Sequence, residues 1–173
     1  MAKPKAPRAL TEAFAAGVDD RLELAAAEGL MHTPYSGALA ACWLAHHDPK
    51  RRPCSGPMER FHFIRRETVE DVIWAALREA AVEVGDHSPG TAGYRRPLRR
   101  EEIWDLIHIA AWDSRNAELG CEHHHRRFDG HAVSPRAPKI IVPFPQLPGH
   151  VLDYVDDYGF RGAGWLVERF PGG

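Results

Sequence analysis

Cysteine is scarce in this chain: among 173 residues there are three, Cys42, Cys54 and Cys121. So small and odd a number excludes a disulfide framework and leaves reduced thiols that pack or bind metal. Long apolar runs are missing too. None reaches the roughly 18 residues that a membrane-spanning helix needs, and the opening Met-Ala-Lys-Pro-Lys-Ala-Pro-Arg has no apolar stretch of the signal-peptide kind. The expectation is a soluble, cytoplasmic protein with no membrane partner. Excess positive charge is also lacking. At a net charge of −2 the chain has no global basic field, so any contact with nucleic acid has to be local. No internal repeat or low-complexity run stands out. Two things are plentiful: histidine, with eleven residues, and hydrophobic residues at 44%, enough for one domain with a core.

The histidines concentrate in Asn116 to Phe128, which reads N-A-E-L-G-C-E-H-H-H-R-R-F. If this stretch is helical from about Gly120, then Cys121, His124, His125 and Phe128 recur at i, i+3, i+4 and i+7 and share one face. His123, Arg126 and Arg127 then point elsewhere. A thiolate and two imidazoles on one stripe make a metal-ligand arrangement suited to Zn²⁺ and similar ions. One helix rarely closes such a site alone. The other half is sought upstream, where Cys54-Ser-Gly-Pro forms a turn and Met58 to Arg65, carrying Phe61, His62, Phe63 and Ile64, reads as a short strand.

A strand His, an Asn before a turn, and a helix with Cys and His together resemble the HNH endonuclease family, particularly its phage-encoded branch. The pieces that carry the resemblance are Cys54-Ser-Gly-Pro, His62, Asp113-Ser-Arg-Asn116 and Cys121-Glu-His-His124-His125. The tail from Leu147 to Phe170 is also similar to the end of such phage proteins. The resemblance covers about half the chain. It implies an α+β fold, a mostly helical single domain around a small ββα-metal core. That core would comprise residues 54–66 and 112–131, with residues 67–111 as a helical insertion between the His strand and the Asn/His segment.

The same resemblance implies a metal-dependent endonuclease that hydrolyses phosphodiester bonds in DNA, with His62 as general base. His125 is then a ligand of a catalytic divalent ion such as Mg²⁺ or Mn²⁺, and Asn116 either orients the strand His or coordinates that ion. Phage DNA-packaging proteins are plausible partners. At Phe61 many relatives have an Asp or His ligand, so Asn116, Asp113, Glu59 or water has to complete the shell. Otherwise the scaffold binds DNA without cutting it. A structural Zn²⁺ is implied as well, from Cys54, Cys121 and His124 with a fourth ligand among Cys42, His46, His47 and His131, which spacing does not choose between. Arg126 and Arg127 are expected phosphate contacts, as are Arg65 and Arg66. The Lys50-Arg51-Arg52 triplet is either a solvated patch or a phosphate site.

The rest of the chain reads as scaffold. Residues 1–8 are expected to be a disordered basic arm, and residues 9–173 one domain. Thr11 is the expected cap of a helix carrying Leu10, Phe14, Val18 and Leu22 and ending near Gly29. Ala38 to His47 is read as an Ala-rich helix, with Cys42 as a packing residue. Thr68 and Asp71 form a capping-box pattern for a helix running to Gly85, followed by a flexible loop from His87 and a second helix from Pro97 to Trp112. Pro135 to Pro148 is read as an extended cover, and His150 to Tyr158 as a short helix with its aspartates outward.

Overall fold

A computed structural model describes residues 3–27, 42–79, 98–131, 136 and 138–172. The first long element, α1, spans Arg8–Ala27. It starts a turn before Thr11, whose hydroxyl bonds back to the Arg8 carbonyl at 2.9 Å instead of capping the helix. Phe14 and Val18 face inward and pack against Ala117. Gly17 lets α1 come close, since a Cβ there would lie 2.5 Å from the Ser114 hydroxyl. In the stretch expected to hold the Ala-rich helix, a short 3-10 turn at Trp43–His47 is present; residues 38–41 lie outside the described set. Of the expected arm, Lys3 pairs with Glu70 at 2.7 Å and Arg8 already belongs to α1.

Two strands form one antiparallel sheet, β1 at Met58–His62 and β2 at Ala117–Cys121. Their register pairs Met58 with Cys121 and His62 with Ala117. Gly120 is where the pair meets its packing layer: a Cβ there would come within 3.0 Å of the Phe61 ring and 3.2 Å of Leu44. β2 runs directly into α4, Glu122–Phe128, with Cys121 in extended conformation at its N-terminus. The result is a strand-strand-helix unit.

Between the strands lie α2, Arg66–Glu79, and α3, Arg100–Ala111, which pack on each other through Trp74 and Trp104, 6.4 Å apart. The expected helix end at Gly85, the loop from His87 and the expected start at Pro97 lie outside the described residues. The C-terminal part contributes α5, Gly149–Asp157, and α6, Gly164–Arg169. Its Val151, Tyr154 and Val155 are buried while Asp153, Asp156 and Asp157 stay exposed, as a 3.6-residue period dictates. The main core gathers Phe61, Phe63, Ile64 and Phe128 with Ile140, Val142, Tyr154, Leu166 and Phe170. The fold is thus α+β and mostly helical. No helix among the described residues is long and apolar enough to cross a membrane.

Candidate metal centre and histidine site

Two constellations flank α4. At its N-terminal end, Cys42, Cys54, Cys121 and His124 offer one ligand atom each, all within 4.8 Å of one another. His124 turns Nδ1 toward the sulfurs, 3.1 Å from Cys121, 3.4 Å from Cys42 and 3.7 Å from Cys54. A tetrahedral ion with metal–sulfur bonds of about 2.3 Å and metal–nitrogen bonds of about 2.0–2.1 Å separates S from N by roughly 3.6 Å. The observed spacings bracket that value, so the group can hold a metal ion. The Cys121 backbone N–H donates to the Cys42 sulfur at 3.2 Å, which favours a thiolate there. Burial pushes the Cys42 thiol up to about 12, and nearby Cys121 and Cys54 add to the effect. A bound cation reverses that penalty by taking the thiolates as ligands. Cys42 packs in the core as expected and is also the fourth member of the group. Among the other candidates, His46 and His131 are exposed, and His47 lies against Trp43, 4.3 Å away with the rings tilted by 36°.

Behind His124 lies a second layer. Its Nε2 is 3.5 Å from Asp48 Oδ2, an ion-pair distance longer than a hydrogen bond. Asp48 accepts from the Lys50 and Arg52 backbone N–H groups at 3.0 Å each. It also accepts from Arg127 Nη1 and Nη2 at 2.6 and 2.8 Å. These donors, Arg127 foremost, hold the carboxyl well below the usual range. The turn they close explains why Arg51 takes a φ of 46°. Arg127 is fully buried and gives its Nε to the Pro138 carbonyl at 3.0 Å. The expectation that Arg127 contacts phosphate is corrected: its guanidinium is spent on Asp48 and Pro138. In sequence its neighbour Arg126 looks equivalent, but it is exposed, with Glu122 3.8 Å away.

The second constellation surrounds an open depression of about 480 Å³ that His62, Arg65, Arg66, His125, Asp129 and His131 line in part. The end of β1 brings His62 and the middle of α4 brings His125. His62 stacks flat on Phe14, 4.8 Å away and 6° from parallel, with Trp112 edge-on at 5.7 Å. Its ring hydrogen-bonds the Ala111 backbone, and its Nε2 is buried without a partner among the described residues. Burial, then Arg66 and His125, lower the ring to about 4, so it is neutral at neutral pH. His125 Nδ1 lies 2.5 Å from Glu59 Oε1 and its Nε2 3.2 Å from Asp129 Oδ2. Burial works against its protonation, but Asp129 and Glu59 prevail and raise it. Asp129 sits at about 2: burial opposes ionisation, yet His125, Arg65 and Arg169 outweigh it.

Asn116 is at the hinge of this arrangement and fully buried. Its Nδ2 donates to the Ile64 carbonyl at 2.8 Å, and its Oδ1 accepts from the Ile64 N–H at 2.9 Å. With its carbonyl also taking the Phe63 N–H at 2.9 Å, Asn116 pins the backbone just after His62. As a metal ligand it is corrected, because both ends of its amide are committed to the Ile64 backbone, two residues beyond His62. Phe61 is buried against Phe63, Phe128 and His125. Of the groups expected to stand in for it, Asp113 is tied to Arg115 and Glu59 reaches His125. Asp129 was missed in the sequence, although it follows His125 at i+4, at the C-terminal cap of α4, where a partner belongs. Arg65 and Arg66 line the depression; Arg65 pairs with Asp129 at 3.4 Å and Arg66 covers the Trp112 ring at 4.7 Å. No protein-family model, curated protein or solved structure matches the chain.

Proposed function

We propose that this protein is a metal-dependent endonuclease of the HNH, or ββα-metal, type that hydrolyses phosphodiester bonds in DNA, with a structural Zn²⁺ at Cys42, Cys54, Cys121 and His124. One observation carries the reading: β1, β2 and α4 bring His62 and His125 to the same depression, with Asn116 holding the strand exit between them. Hydrolysis needs a proton acceptor for water and positive charge around the phosphate. His62 is neutral, and its Nε2, buried without a partner among the described residues, would take that proton once water or DNA reaches it. Negative charge building up on the phosphate would raise the basicity that burial lowers. Arg65 and Arg66 at the rim supply cations for the DNA backbone.

For a hard divalent ion, the fitting donors are His125 Nε2 and Asp129 Oδ2, 3.2 Å apart, with Glu59 adjacent. An ion that keeps most of its waters accepts so small a protein set. When bound, it stabilises charge on the phosphate oxygens. A second reading, DNA binding without cleavage, is favoured by the buried Phe61 and by the two carboxylates that already occupy both nitrogens of His125.

Supercoiled-plasmid relaxation separates the two. Protein desalted into metal-free buffer, its zinc content verified, receives Mg²⁺, Mn²⁺, Ni²⁺ or Zn²⁺. Relaxation that depends on the added ion and falls by about 10²–10⁴-fold in His62→Ala, and likewise in His125→Ala, is the expected result. Plasmid that is bound but never cut, with any ion, refutes the nuclease reading and favours the second.

A further inference from the structure

Beyond the histidine depression, across a wall of Arg65, Thr68 and Asp129 that both share, lies a second hollow of about 380 Å³. Its far side carries Lys139, Trp165 and Arg169. We infer that this hollow is a subsite for one nucleotide of the DNA strand, next to the phosphate held at His62 and His125. The inference extends the DNA reading of the neighbouring depression and rests on it.

Size, charge and ring geometry point the same way. The volume falls at the small end of the roughly 300–1,000 Å³ that ligand pockets occupy, which suits a single nucleotide and not a folded partner. Arg65, Lys139 and Arg169 face two carboxylates, Asp129 and Glu168, so the lining is net positive. Arg169 is held rigidly: its Nη1 donates to the Phe128 carbonyl at 2.8 Å, its Nη2 reaches Asp129 at 3.1 Å, and its guanidinium lies 3.9 Å above the Phe128 ring. The Lys139 ammonium has no ion pair among the described residues and is exposed, leaving it available to phosphate. Trp165 is half-buried and braced by Phe160, 5.3 Å away and 73° from parallel. A ring fixed in this way is a platform for a base, because stacking then costs little ordering. Phosphate on Lys139 and Arg65 with a base on Trp165 also places the strand along the shared wall, toward His62.

The test is binding of a labelled single-stranded DNA oligonucleotide, read by fluorescence anisotropy over a salt series with no divalent ion added. Plasmid cleavage is measured separately on the same proteins. Trp165→Ala is expected to weaken binding by about tenfold, as loss of one base–aromatic stack does, and Trp165→Phe to restore most of it. Lys139→Ala is expected to reduce the slope of log affinity against log salt by about 0.7, one phosphate contact on a single strand. Arg8→Ala, on the exposed end of α1, should leave both quantities unchanged. Lys139 is exposed, so its variant keeps the test informative even if Trp165→Ala fails to fold. Wild-type affinity and slope in Lys139→Ala and Trp165→Phe together with Trp165→Ala, or no binding by the wild type, overturn the subsite. Variants that lose binding while the wild type cuts nothing uphold the subsite and refute the nuclease reading; cutting by the wild type with unaltered variants does the reverse.

Discussion

Cys42→Ala removes the ligand that the fold selects among the candidates. The side chain is 1% exposed, with its sulfur 3.4 Å from His124 Nδ1 and accepting the Cys121 N–H at 3.2 Å. Structural Zn²⁺ sites of this type bind with about 10–16 kcal/mol. Shared over four ligands, one thiolate contributes roughly 3–4 kcal/mol, or about two to three orders of magnitude in zinc affinity. Because binding is coupled to folding, the zinc-loaded protein should also melt roughly 6–16 °C lower, at about 2–4 °C per kcal/mol for a chain of this size. A chromogenic chelator competing for zinc measures the first quantity, and thermal melts with and without zinc measure the second. A thiol that merely packs gives a different pattern: a loss of about 1 kcal/mol that zinc does not change. Zinc affinity in Cys42→Ala within threefold of wild type, while Cys54→Ala loses it, would refute the four-ligand assignment.

Asp48→Ala should destabilise the protein by about 3–5 kcal/mol in urea unfolding, because it strands the buried Arg127; replacing both residues with apolar ones should recover much of that loss. Asn116→Ala leaves the Ile64 N–H and carbonyl without partners and should cost about 2–5 kcal/mol, with His62 losing its fixed position. Stability should fall as pH drops from 7 toward 4, because His62 and His150, each lowered to about 4 by burial first, stay neutral in the fold while the unfolded chain protonates near 6.5. The unfolded state binds more protons across that window, so acid favours it, and His150→Gln should flatten the melting-temperature profile between pH 6.5 and 4.

Local pattern made much of the scaffold legible. The strand at His62 and the α5 stripe follow from periodicity and turn chemistry that neighbours in sequence suffice to set; Cys121, expected on the helix, ends β2 instead and still meets His124. The partners that complete each site were not legible, because they come from distant segments. Spacing left Cys42 as one of four candidates for the last ligand; the approach of Leu44 to Gly120 on β2 carries it into the group. Arg126 and Arg127 are indistinguishable as letters, yet Asp48 draws one inward and leaves the other in solvent. Asn116 allowed two roles from sequence, and Ile64, 52 residues away, removes the ligand role by taking both ends of the amide. Helix starts lie ahead of the expected caps: α1 begins before Thr11 and α2 before Thr68.

The four-residue metal group also bears on how the chain is assembled in time. Cys42 and Cys54 meet His124 across separations of 82 and 70 residues, and β1 finds β2 only after the intervening helices have been made. Such pairings have high contact order and form slowly. During synthesis, at about 5–20 residues per second, the first two thiols emerge several seconds before their partners exist. In that interval they are exposed nucleophiles that oxidants or competing thiophilic ions can capture. A metal ion bound at this group would hold together only chains in which these distant segments have met.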